Sequence, residues 1–184
     1  EPGASASAAR VAAAGLVPLV QPLFAIRAID WTPPPVGDFD ALICTSAQAP
    51  ALAGAALAQY LHLPAFAVGS ATAVAMAAAG LPPTLTGTAD AASLVKQIEA
   101  RGHRRILWLC GRDHIALEPG AARVTPIPCY AAEQCTPPCD WGVALDRATL
   151  VLVHSARSAQ VAARAIGDAR AALDLIAISA AAAE

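Results

Sequence analysis

Apolar runs of strand length alternate with longer runs of helical period through the middle of the chain. Ala41-Leu42-Ile43-Cys44 is unbroken by any polar residue, ends at Thr45-Ser46 and leads into an alanine-rich stretch. The same alternation continues beyond it. It predicts a strand over 41–45, a helix over 48–60, a strand over 65–68, a helix over 70–79, a strand over 84–86, a helix over 90–101 and a strand over 105–110. Asp90 stands where an N-cap belongs and Gly102 where a helix stops. Strands that are apolar throughout, rather than at every second position, belong to a parallel sheet covered on both faces.

The pattern around this core is looser. A helix over 1–15 has Pro2 in its first turn and Gly15 as its stop, and Leu16-Val17-Pro18-Leu19-Val20 then reads as a short strand. Residues 24–29 alternate weakly and end in Pro33-Pro34-Pro35, a stiff extended run of the kind that links domains. Residues 123–130 are extended again and form a second connector. The remainder predicts a helix over 137–147, a strand over 149–154, a helix over 156–170, a strand over 175–178 and a new helix from Ala180. The expected organisation is an outer domain of 1–24 and 134–184, connectors of 25–34 and 124–133, and an inserted domain of 35–123. A strand is expected ahead of Glu1, and the last helix is expected to continue beyond Glu184, so the outer domain reads as truncated.

One device occurs twice. A strand stops at Ser46 and another at Ser155, each turning directly into a helix. Each is followed, at nearly equal spacing, by a second strand and turn: Gly69-Ser70-Ala71-Thr72 in one copy and Ser179-Ala180-Ala181-Ala182 in the other. In an open parallel sheet, ligands bind beyond the carboxyl ends of the strands, where helix N-termini present unpaired N–H groups. Thr45, Ser46, Gly69, Ser70, Thr72, Gly111, Arg112, Ser155 and Ser179 all fall at such ends. Small residues there let backbone amides approach an anion. They are equally ordinary N-caps, and for any single serine capping is the commoner role.

Composition narrows the chemistry. The chain of 184 residues is 57% hydrophobic, enough for a sizeable core, but only 4% aromatic. A net charge of −2 argues against a general nucleic-acid binder, which needs a basic face. No charged residue lies between Asp40 and Asp90, yet Pro50, Pro64, Pro82 and Pro83 and several glycines break that region into pieces too short to span a membrane. No secretory signal pattern opens the chain. Cys44 and Cys110 lie in apolar runs and read as buried thiols. Cys129, Cys135 and Cys139 are spaced C-x5-C-x3-C, which matches no usual zinc site. Reduced thiols in a cytoplasmic protein are expected. No phosphate loop, dinucleotide fingerprint or nucleophile elbow is present. His62, His103 and His114 read as surface histidines, and Asp38 and Asp40 as a solvated strand entry. Tyr130, in a connector, reads either as a proton donor into a cleft or as a ring packed on one domain.

These residues resemble uroporphyrinogen-III synthases. The resemblance is carried by Leu42-Ile43-Cys44-Thr45-Ser46-Ala47-Gln48-Ala49, Ala67-Val68-Gly69-Ser70-Ala71-Thr72-Ala73, Leu109-Cys110-Gly111-Arg112-Asp113, Pro128-Cys129-Tyr130-Ala131 and Val153-His154-Ser155-Ala156-Arg157-Ser158-Ala159, in order along nearly the whole chain. Glu1-Pro2-Gly3 resembles the residues after that family's first strand. The resemblance implies two Rossmann/flavodoxin-like α/β domains with parallel sheets, joined by a two-stranded β-ladder. It implies cyclisation of hydroxymethylbilane, with inversion of ring D through a spiro intermediate and loss of water, to uroporphyrinogen III. The substrate's eight carboxylates would be held largely by backbone amides, with no metal or organic cofactor, by a cytoplasmic monomer. By position, Tyr130 matches the tyrosine that assists loss of the hydroxyl, Thr72 the threonine of a Gly-x-x-Thr turn, and Ser46 and Ser155 the two strand-end serines. The second such turn departs from the pattern, with Ala182 where threonine is expected. A non-catalytic module of the same architecture, capturing a small polycarboxylate or tetrapyrrole, is the rival reading. A periplasmic-type sugar or nucleotide binder is a more distant one, disfavoured by the missing signal and phosphate loop.

Overall fold

The apolar runs of the middle region become the strands of one sheet. The structure, a computed structural model, describes residues 2–88, 90–117, 120–136, 146, 150–153, 155–166 and 173–177. The chain divides into two compact units, one of residues 26–132 and one of residues 1–25 with 133–184.

In the first unit the chain runs through β1 (Phe24–Ala28, begun in the other unit), β2 (Ala41–Cys44), α2 (Gln48–Leu52), β3 (Ala65–Val68), α3 (Ser70–Ala78), β4 (Leu85–Gly87), α4 (Ala91–Ala100), β5 (Arg105–Gly111) and β6 (Arg123–Gln134). Helix α1 (Pro2–Ala13) precedes them. The sheet order is β1-β6-β5-β2-β3-β4, and the pairs β2–β3, β2–β5, β3–β4 and β5–β6 are all parallel. All four residues of β2 are fully buried, as expected of a central strand covered on both faces. Its side chains alternate between two cores. Leu42 and Cys44 join Tyr60, Met76, Leu107 and Leu109 on one face; Ala41 and Ile43 join Phe66, Leu94, Ile98 and Ile106 on the other. The first core is roofed by α2, a 3-10 segment and α3, the second by α4.

The local signals for these elements hold. Asp90 Oδ1 accepts the Ser93 N–H at 2.7 Å and caps α4, whose end is turned by Gly102 at φ 94°. The helix expected over 48–60 is instead split. Gly54 adopts φ 68°, which interrupts the i to i−4 ladder, and Gly54–Tyr60 continues as a 3-10 segment. Chain 31–35 is extended and pinned rather than loose. Tyr60 Oη donates to the Pro34 carbonyl at 2.6 Å, and Trp31 Nε1 donates to Ala53 O at 2.9 Å, with the two rings stacked. β6 is longer than the expected 123–130 and lies between β1 and β5, so the two extended segments belong to the same sheet as the middle region.

In the second unit β7 (Leu150–Val153) pairs in parallel with β8 (Asp174–Ala177), and α5 (Ala156–Ile166) lies between them in sequence. Val153, Ala162 and Ile166 form a small core with Leu23, Val151, Ala159, Leu173 and Ala177. The strand expected over 16–20 does not form. Val17 is 86% exposed, and Leu16, Leu19 and Val20 are also exposed. A strand needs a neighbour for its ladder, and Pro18 has no N–H to give one. Apart from Asp146, which is helical, the helix expected over 137–147 lies outside the described residues, as do the start of the one at Ala180 and His154.

Candidate active site at the strand ends

The order β4-β3-β2-β5 reverses direction of winding between β2 and β5: the chain moves outward from β2 to β4, then returns to the other side. In open α/β sheets a ligand crevice opens beyond the carboxyl ends of the two strands at such a point. Here those ends are Thr45-Ser46 after β2 and Gly111-Arg112 at the close of β5.

Tyr130 is brought to the same place by an irregularity in β6. Cys110 pairs with Pro128, but Gly111 pairs with Tyr130, so Cys129 is the extra residue of a bulge. Bulges re-aim the side chains beside them. The Arg112 N–H donates to the Tyr130 carbonyl at 2.8 Å and fixes the new register. Ser46 Oγ accepts the Gln48 N–H at 3.2 Å. Burial pushes the phenol pKa up, and the Ser46 side chain opposes that rise. The phenol is therefore protonated at neutral pH and in the form that can give a proton.

A second layer lies below. Trp108 Nε1 donates to Thr45 Oγ1 at 3.1 Å, and the Trp108 ring meets His114 edge-on with centroids 5.0 Å apart. His114 Nδ1 is 2.9 Å from Gly111 O and 3.5 Å from Cys110 Sγ. A carbonyl only accepts, so Nδ1 carries the proton and is no base for the thiol. His114 is thus packed beneath the strand ends, not a plain surface residue. His103 is also more than that: its ring meets Phe66 edge-on at 5.6 Å, and its Nδ1 lies 3.8 Å from Asp40. Burial pushes the Cys110 thiol up to about 12 and the Cys129 thiol up to about 11, and raises Cys44 as well. Three neutral thiols floor the site and offer no nucleophile.

Of the residues singled out in the sequence, Thr45, Ser46, Gly111, Arg112 and Tyr130 thus meet at the β2–β5 switch point. Gly69, Ser70 and Thr72 lie one strand over, after β3. Gly69 takes φ 79° as the N-cap of α3, a conformation side chains rarely adopt, while Thr72 is only 4% exposed. Ser155 lies in the other unit, where it exchanges hydrogen bonds with Ser158: Ser158 N to Ser155 Oγ at 3.1 Å and Ser155 N to Ser158 Oγ at 3.0 Å. Ser179 is outside the described residues. Sequence reasoning missed Trp108 and His114. The available signal was a tryptophan three residues ahead of Gly111 in a strand otherwise free of aromatics. Among the described residues, no three His, Cys, Asp or Glu side chains group as a metal ion requires. No described helix is long and apolar enough to cross a membrane.

A mostly parallel sheet with a hydroxyl-, amide- and phenol-lined switch point defines an α/β protein with a candidate ligand site at its strand ends. The profile of the family described as "Uroporphyrinogen-III synthase HemD" matches residues 5–184. The chain belongs to the uroporphyrinogen-III synthase family, whose members are cyclising lyases of haem tetrapyrrole biosynthesis acting on hydroxymethylbilane. Among solved structures it is similar to uroporphyrinogen-III synthetase from Helicobacter pylori, at 16% identity and TM-score 0.67 over 92% of this chain and 81% of that one. It is similar also to a mutant uroporphyrinogen III synthase from the extremely thermophilic bacterium Thermus thermophilus, at 16% identity and TM-score 0.54 over 100% of this chain and 84% of that one. At such identity the likeness is one of fold. No curated protein sequence matches the chain.

Proposed function

We propose that Tyr130 is the proton donor for loss of water from hydroxymethylbilane, and that the strand-end turns hold the substrate's carboxylates. The observation that carries this is the half-buried phenol at the β2–β5 switch point, beside Gly111 and kept protonated by its partial burial. The C–O bond of the terminal hydroxymethyl group breaks, and the phenol proton leaves with the hydroxyl as water. When the macrocycle closes, the attacked pyrrole carbon sheds a proton, and that proton restores the phenol. Amides after Thr45, Ser46, Gly69, Ser70, Thr72, Gly111, Arg112, Ser155 and Ser179 supply the carboxylate contacts, each worth about 0.3–1 kcal/mol by its helix-end field. Holding a flexible chain in a ring-closing shape is catalysis by orientation.

The reading takes 35–123 as the inserted domain, 1–24 with 134–184 as the outer domain and 25–34 with 124–133 as connectors. It uses no metal or organic cofactor and treats the working form as a cytoplasmic monomer; sedimentation yielding a dimer mass would refute the last point. The decisive test supplies fresh hydroxymethylbilane and separates the product isomers. Enzyme-dependent formation of isomer III is expected. A ratio equal to that of the spontaneous reaction, which gives isomer I, returns the chain to a binding role.

A further inference from the structure

Gly111 sits at the close of β5 in ordinary backbone geometry. It is absent from the glycines with positive φ, so its backbone does not require glycine. Its surroundings do. A Cβ at Gly111 would lie 2.9 Å from Tyr130 Cε2, 2.9 Å from Cζ and 3.1 Å from the phenol oxygen. Real Cβ atoms essentially never come within 3.0 Å of a neighbour. The reactive end of the tyrosine ring fills the place where any other residue would carry its side chain. The ring is seated there by the bulge at Cys129 and by the Arg112 N–H to Tyr130 O bond.

We propose that Gly111 is a positioning residue for Tyr130: its bare Cα makes room for the phenol. This rests on Tyr130 being the proton donor, and it gives Gly111 a duty to the tyrosine ahead of any contact with substrate carboxylates. Atoms within the seat donate or accept hydrogen bonds only; the proton transferred is that of Tyr130.

The test is a double-mutant cycle on fresh hydroxymethylbilane with Y130F, G111A and G111A/Y130F. G111A pushes the ring out of its seat, so kcat falls by about 10²-fold, as for loss of a general acid, while KM moves by less than about twofold. The double variant is then no slower than Y130F alone. Losses that multiply in the double variant, with KM rising in G111A, overturn the proposal and make Gly111 a carboxylate-binding amide. Ring-labelled tyrosine NMR gives a readout independent of turnover, with Tyr60 as internal reference. The Tyr130 signal shifts in G111A while Tyr60 stays in place; an unshifted Tyr130 signal in G111A overturns the proposal. Should G111A fail to fold, G111A/Y130L decides: a folded chain shows that the ring was the obstacle, and continued failure overturns the proposal. If Y130F turns over at the full rate, the donor assignment itself fails. If Y130F is slow and G111A is not, only the positioning role fails.

Discussion

The two strand-end serines look alike in sequence and are used differently. Ser46 follows a strand buried on both faces in a six-stranded sheet; its hydroxyl oxygen accepts the Gln48 N–H, and its side chain acts on the pKa of the Tyr130 phenol. Ser155 follows a strand paired, among the described residues, only with β8, and its polar atoms close on Ser158 in a local capping exchange. The units around them differ in the same sense. The unit of residues 26–132 buries large side chains on both faces of its sheet, with Leu42, Phe66, Leu94 and Leu107 fully enclosed. In the other unit Leu152 and Ile176, in the two paired strands, remain 38% and 48% exposed. The same strand–turn–helix device thus ends beside a phenol in the first unit, where a neighbouring strand brings Tyr130 to the strand ends, and in a local capping exchange in the second.

The largest expected effect lies on the Ser46 side. Tyr130→Phe lowers kcat by about 10²–10⁴-fold and leaves product binding nearly intact, as stopped assays and equilibrium titration together read. An unchanged rate would leave the two serines equivalent and break the comparison.

Core deletions sharpen it next. Leu107→Ala removes a fully buried side chain between two packed layers and destabilises by about 2–5 kcal/mol in denaturant unfolding. Ile176→Ala, at a half-exposed position, costs less than about 1.5 kcal/mol. Equal losses would mean that the second unit's sheet is covered as fully as the first.

Ser155→Ala breaks the exchange with Ser158 and costs about 1 kcal/mol of stability while leaving the alkaline limb of kcat in place. A limb that moves would show that Ser155 too addresses the phenol.

The smallest effect concerns Asp40, at the opposite end of β2. Partial burial alone would raise its pKa, but N–H bonds from Arg105 and Arg104, with His103 and Arg105 nearby, outweigh that and hold it below the usual carboxylate value. A depressed folded-state pKa contributes stability that is complete above the unfolded value and is lost as pH falls through the folded one. Asp40→Asn therefore flattens the acid side of the stability curve, by about 1 kcal/mol given the exposure of the group. An acid limb identical to that of the parent chain would remove Asp40 from the account.

Much of the middle region was legible because its signals are local. Apolar runs of strand length, Asp90 three residues before the N–H it caps, and Gly102 after the last turn need no knowledge of the rest of the chain. Failures came where a neighbour or a single dihedral decides. Leu16–Val20 has strand composition and forms no strand. Residues 48–60 have helical composition, and Gly54 divides them. His103 and His114 read as surface residues in the sequence because nothing local announces Phe66 or Trp108 as their partners.

The candidate site divides along the same line. Sequence by itself determined the strand ends, their small hydroxyl and glycine residues, the buried thiols and the presence of one connector tyrosine. These follow from side-chain period and capping chemistry within a few residues. Tertiary structure alone decided that residues 46, 111 and 130 meet. That depends on β5 lying between β2 and β6 and on one extra residue at Cys129, and pairing register across strands is set by the sum of contacts along all of them rather than by any one segment.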